Sequence, residues 1–268
     1  MDIVKAIIMG FIQGVAEFLP ISSSGHLVLA DHYLSGMGKT SLWFDILLHI
    51  ATLVVVITFF FKEFMILVRG GVKFYKFFSD VESKLFWLVV IATIFTVAVA
   101  LIVEPVLRDT VESNYKIVGV FLMINSFILL IPYIFSLKVQ PKSLENIGLF
   151  ESISVGVAQG IGVLPGISRS GITISTGLVV GLDRSTAGVF SFLIFIPATV
   201  GAFVYETYKT FKSETTSFQF EWSYLVGFFT ALVVGYIALW LLMKLLKEGK
   251  FYVFSIYTFL LGLFAIIF

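Results

Sequence analysis

The sequence of 268 residues contains no cysteine. That excludes disulfides, a thiolate nucleophile and cysteine-held metal, and leaves the redox compartment unread. Charge is scarce as well: Asp, Glu, Lys and Arg make up 13% of the chain, against about 25% in an average soluble domain. So few charges cannot dress a water-facing surface. With 59% apolar residues and a mean hydropathy of +1.03, lipid has to be the main solvent. Neither sign of charge prevails, and a net charge of +1 gives no basic face for nucleic acid. A secretory leader is not expected. The first apolar stretch opens on Asp2, carries Gln13 and Glu17, and has no small-residue cleavage site.

What the chain does have is long apolar runs. A membrane span needs roughly 20 apolar residues. Six stretches qualify or nearly so: Trp43–Phe61, Leu85–Val103, Lys116–Leu137, Ala187–Tyr208, Trp222–Met243 and Phe251–Phe268. Two more are apolar but broken. Ile3–Leu19 runs into Pro20 and the string Ser22, Ser23, Ser24, Gly25, His26. Leu149–Leu164 runs into Pro165, Gly166, Ser168, Arg169, Ser170 and Gly171. Irregular backbone at membrane depth survives only inside protein or beside a water-filled cavity, so both stretches are expected to be re-entrant helical hairpins. The fold class is then an all-α polytopic membrane protein with six transmembrane helices and two hairpins. Its positive charges agree. One side receives Lys62, Arg69, Lys73, Lys76, Lys84, Lys138, Lys142, Arg184, Lys244, Lys247 and Lys250, and the other Lys5, Lys39, Arg108, Lys116, Lys209 and Lys212. The richer side is cytoplasmic by the positive-inside rule. Both termini then face outward. Counting the hairpins as full spans weakens the bias.

Shifted by 146, the sequence matches itself without gaps. Gly10, Gln13 and Gly14 meet Gly156, Gln159 and Gly160, and Ile21, Ser22, Ser24 and Gly25 meet Ile167, Ser168, Ser170 and Gly171. Phe44, Leu47 and Ile50 meet Phe190, Leu193 and Ile196. Apolar bias does not supply matched glutamine, serine and glycine. A single membrane domain (1–268) is therefore expected to hold repeat 1 (1–140) and repeat 2 (141–268). Each is a hairpin plus three spans; three is odd, so the second copy is inverted. Such repeats put a site near the midplane where the two breaks meet.

The first break reads QGVAEFLPISSSGH. Gln13 and Glu17 are four apart, so on a helix they share a face. An intramembrane carboxylate points to function by default. Glu17 suits a divalent cation or work as a base. Ser22, Ser23 and Ser24, with the N–H groups of a new helix start, suit an anion. One of them is a candidate nucleophile beside His26, while an N-cap is the bland role for any single serine. The second break reads QGIGVLPGISRSGIT. Arg169 cannot shed its charge and offers a fork suited to phosphate. Ser168, Ser170 and Thr173 add hydroxyls. A resting Arg169–Glu17 ion pair is compatible with a site there. His49, matched by Phe195, is expected to pack, and His32, Asp31 and Asp45 to meet water. Lys73 and Lys76 are placed to touch lipid headgroups.

At these two motifs, EFLPISSSGH and PGISRSGIT, the chain resembles the bacterial undecaprenyl-diphosphatase family, also called bacitracin-resistance proteins. The likeness runs over essentially the whole chain. It implies removal of the terminal phosphate of undecaprenyl pyrophosphate at the outer face of the inner membrane, recycling a lipid carrier for wall polymers. It also implies a divalent cation, Mg2+ or Ca2+. The family's glutamate, serine, histidine and arginine fall on Glu17, Ser23, His26 and Arg169, and its phosphate-contacting hydroxyls on Ser168, Ser170 and Thr173. Many members carry glutamate where this chain has Gln13. A metal site here would rest on Glu17 and the Gln13 carbonyl, without a second negative charge.

The expected function is thus a membrane-embedded lipid pyrophosphate phosphatase. Arg169, Ser22, Ser24, Ser168, Ser170 and Thr173 would bind phosphate, Ser23 or a water would attack, and His26 would move the proton. A secondary transporter or lipid-phosphate flippase is the alternative, since inverted repeats with broken helices are typical of transporters. A homodimer is left open.

Overall fold

The computed structural model describes residues 1–33, 41–112, 114–135, 140–212 and 221–268, with backbone alone at 106–112, 206 and 209–212. Lys39, Lys138 and positions 136–137 of the third expected span lie outside the described residues. Those described form eleven α-helices: α1 (Ile3–Phe18), α2 (Ser23–Tyr33), α3 (Leu42–Phe59), α4 (Phe61–Val72), α5 (Val81–Glu112), α6 (Tyr115–Ile134), α7 (Leu149–Ile161), α8 (Arg169–Val179), α9 (Arg184–Lys212), α10 (Trp222–Lys247) and α11 (Val253–Ile267). Among them α3, α5, α6, α9 and α10 are long and apolar enough to cross a membrane. This is a multi-pass membrane protein. The sixth expected span becomes α11, with 15 residues. At 1.5 Å per residue it is about 22 Å long, short of a roughly 30 Å hydrocarbon core. A helix the apolar runs did not disclose, α4, occupies part of 62–84.

Both breaks fall in the expected places. α1 stops at Phe18 and α2 starts at Ser23, and α7 stops at Ile161 while α8 starts at Arg169. The chain turns through positive φ at Ser22 (69°) and Gly166 (96°). Glycine takes that conformation freely, but for serine it costs roughly 1–2 kcal/mol, so neighbours must hold Ser22 there.

Small residues decide which helix beds which hairpin. α1 lies on α10: a Cβ on Gly10 would stand 2.5 Å from the Gly227 carbonyl oxygen, and one on Gly14 2.9 Å from that of Ala231. α7 lies on α5 in the same manner, with Gly156 against the Ala92 carbonyl (2.4 Å) and Gly160 against that of Thr96 (2.7 Å). The first helix of each hairpin therefore packs on a long helix from the other half of the chain. The segments rich in lysine and arginine gather at one end. Lys84 Nζ donates to the Glu145 carbonyl, Lys142 and Gly181 are joined through their backbones, and Arg184 donates to the Lys247 carbonyl. At another point the Met1 amino group pairs with Glu221, and Ser41 bonds Tyr224 (2.8 Å). The largest core cluster, from Phe18 and Val55 through Leu88 and Phe190 to Leu242, lies between the hairpins and the long helices.

Candidate active site

The two hairpin tips meet. α1 ends with its last carbonyls lacking intrahelical partners, and α8 supplies one: Ser170 Oγ donates to the Phe18 carbonyl (2.9 Å). Just beyond, Asn125 Nδ2, from α6, donates to the Pro20 carbonyl (3.0 Å). Asn125 Oδ1 accepts from Ser168 N (3.0 Å), so one fully buried amide holds both tips. In return Ser22 Oγ accepts from Gly166 N (3.0 Å) and from Gly25 N (3.3 Å). These two bonds keep Ser22 in its strained turn, where it caps α2.

Across this junction Arg169 Nη2 donates to Glu17 Oε1 at 2.8 Å. The other carboxylate oxygen accepts from Gln13 Nε2 (3.1 Å) and from Ser23 Oγ (3.0 Å). The Glu17 side chain is 2% exposed and that of Arg169 30%, so the guanidinium is the half of the pair with a way out. Arg169 also donates to Thr199 Oγ1 (3.1 Å) and lies 4.6 Å above the Phe195 ring. A carboxylate and a guanidinium at this depth are stable only as partners.

Of the three serines only Ser23 bonds Glu17; Ser24 Oγ lies 3.5 Å from Ser22 Oγ. His26 bonds the Ser22 carbonyl (2.8 Å) and Tyr257 of α11 (2.7 Å), not Ser23. Ser168 caps α8 by accepting from Gly171 N (3.1 Å), Ser170 closes α1, and Thr173 bonds the Arg169 carbonyl (2.7 Å) and Ser191 (2.5 Å). All three are buried and bonded to protein. His49 bonds the Asp45 carbonyl of its own helix, and His32 stacks on Tyr115 with centroids 3.6 Å apart. Among the described residues no three His, Cys, Asp or Glu side chains form a metal cage. Asn125, Thr199 and Tyr257 escaped the sequence reading. The rule that singled out Glu17, a polar group inside an apolar run, also applies to Asn125.

A buried carboxylate holding a hydroxyl, opposite an arginine that can be reached, is a constellation for phosphoryl chemistry. The sequence profile described as "Bacitracin resistance protein BacA" matches residues 6–264. The chain belongs to the BacA family. Named relatives match along nearly their full length. An undecaprenyl-diphosphatase of Treponema denticola is 41% identical over 265 residues, covering 98% of this chain and 96% of the relative. One of Caldicellulosiruptor bescii is 35% identical over 96% of this chain and 94% of its own. One of Methanosphaera stadtmanae is 36% identical over 100% and 98%. In this BacA protein the Glu17–Arg169 pair thus joins the two sequence motifs that carried the resemblance.

Proposed function

We propose that this protein hydrolyses undecaprenyl pyrophosphate to undecaprenyl phosphate and inorganic phosphate, recycling the lipid carrier for cell-wall synthesis. It is a membrane-embedded hydrolase. The observation that carries its chemistry is the Arg169–Glu17–Ser23 chain, in which one carboxylate bonds both the arginine and the hydroxyl.

In this reading the substrate pyrophosphate takes Arg169, the more exposed partner, and frees Glu17 Oε1. Ser23 Oγ attacks the terminal phosphorus and gives its proton to Glu17. The bond from that phosphorus to the bridging oxygen breaks, and undecaprenyl phosphate leaves. Water, giving a proton to His26, then attacks the phosphoserine; the P–Oγ bond breaks, Ser23 Oγ takes its proton back from Glu17, and inorganic phosphate leaves. His26, three residues beyond Ser23 and so on the same face of α2, carries the proton for that second half. Ser22, Ser24, Ser168, Ser170 and Thr173 hold the helix starts that face the phosphate. The donor set suits a hard cation in kind, a carboxylate beside a hydroxyl and an amide; Gln13 now gives its Nε2 to Glu17, so its carbonyl oxygen would have to turn inward to reach a cation there. Glu17 and Gln13 would hold Mg2+ or Ca2+ with substrate oxygens completing its shell, and the cation would neutralise pyrophosphate charge.

The fold is read as six spans and two re-entrant hairpins in inverted repeats. α11 is the sixth span, both termini and the site face outward, and the protein sits in the inner membrane. The exchanged packing of α1 and α7 supports the repeat, and the gathering of Lys84, Lys142, Arg184 and Lys247 at one end supports the orientation.

The test is phosphate release from a polyprenyl pyrophosphate in detergent, with and without chelator. Loss of release in Arg169→Ala is expected; normal release would overturn the clamp. The exchanged packing also suits a transporter, and liposomes separate the two. Lipid that crosses intact with no phosphate released would replace the hydrolase.

A further inference from the structure

His26 is held at both ring nitrogens. Nδ1 lies 2.8 Å from the Ser22 carbonyl oxygen, which has no proton to give, so Nδ1 carries the hydrogen. In the neutral ring Nε2 is then the acceptor, and it lies 2.7 Å from the Tyr257 hydroxyl. The two rings are 6° from parallel with centroids 5.7 Å apart. Tyr257 is 231 residues away in sequence, on the last helix. That helix is itself closely seated: a Cβ on Gly119 of α6 would stand 2.9 Å from the Gly262 carbonyl oxygen. So α6 fixes α11, and α11 brings a hydroxyl to the one nitrogen of His26 able to accept a proton.

We propose that Tyr257 is a positioning residue for the hydrolysis, holding the His26 ring so that Nε2 is the nitrogen that takes up and returns the proton. At rest the hydroxyl donates to the bare Nε2 and holds the ring. Nε2 has a single lone pair, so the hydroxyl swings aside while Nε2 takes the proton of the attacking water, and the ring is kept in register meanwhile by Nδ1–H on the Ser22 carbonyl. The inference rests on His26 being the proton carrier.

Tyr257→Phe keeps the ring and deletes the hydroxyl. Its kcat for phosphate release is expected to fall about tenfold, with KM unchanged. In a His26→Ala background the same change is expected to lower kcat no further, because it acts through the imidazole. Losses that multiply in the double variant, or full activity in Tyr257→Phe, would overturn the positioning role. Full activity in His26→Ala would overturn the reading of His26 instead. Nitrogen-15 spectra of the unaltered protein supply a readout that does not pass through the activity of the variants. The chain has three histidines, so the His26 signals are those missing from His26→Ala. A bare Nε2 and a protonated Nδ1 are expected in the unaltered protein, and the reverse tautomer would sink the proposal.

Discussion

Both carboxylate oxygens of Glu17 are engaged at rest, Oε1 by Arg169 and Oε2 by Gln13 and Ser23. A ligand that draws Arg169 away leaves a buried negative charge, which a cation arriving with the ligand would balance. Gln13→Glu adds a second carboxylate beside Glu17. We expect half-maximal phosphate release at about tenfold lower Mg2+, in line with the effect of ligand charge on affinity. Without cation, two carboxylates at this spacing repel and the unfolding midpoint in detergent falls. An unchanged Mg2+ requirement would remove Gln13 from the site. Asn125→Leu strands the Pro20 carbonyl and the Ser168 amide, each at a cost of roughly 1–3 kcal/mol. A drop in midpoint and in phosphate release together is expected; unchanged values would mean the tips do not need that amide. The sequence already drew attention to Glu17, Arg169 and the run Ser22, Ser23, Ser24, because charge and hydroxyl inside apolar runs are conspicuous, while the choice of Ser23 came from the family resemblance. It could not separate Ser22 from Ser23. That difference lies in a turn whose Oγ caps one helix while accepting from Gly166, a partner 144 residues away.

At the scale of elements, long apolar runs locate themselves. α3, α5, α6, α9 and α10 fall where hydropathy puts them, and proline and glycine mark both breaks. The amphipathic α4 stayed hidden because Lys62, Glu63 and Arg69 interrupt a run of only 12 residues. The pairing of hairpins with their beds was also illegible, since it depends on backbone approach at Gly10, Gly14, Gly156 and Gly160. Gly156→Ala pushes a methyl group toward the Ala92 carbonyl. Overpacking of this kind costs about 1–3 kcal/mol, so a lower midpoint in thermal unfolding is expected. Gly201→Ala in α9 is the control: nothing lies within 4 Å of its Cβ position. Exchanging glycine for alanine inside a helix gains roughly 1 kcal/mol, so its midpoint should hold or rise. Equal losses at both positions would refute close packing as the organising contact.

For the whole molecule the proposed topology makes a prediction that the absence of cysteine renders clean. Single cysteines placed at Asp2 and Lys250 have no native thiol to compete with them. In intact cells an impermeant maleimide should label the first and reach the second only after permeabilisation. Labelling at Lys250 in sealed cells would invert the orientation. The exchanged packing also bears on how such a chain is made. The Met1 amino group meets Glu221, a partner 220 residues later, and α1 lies on a helix from the same late stretch. During synthesis the first helix leaves the ribosome with its glycine face bare, and its bed arrives only when most of the chain has been translated. Contacts this distant in sequence form late and slowly. The α1–α2 hairpin is then seated only once α10 has been made, and a chain arrested earlier would lack half of the candidate site.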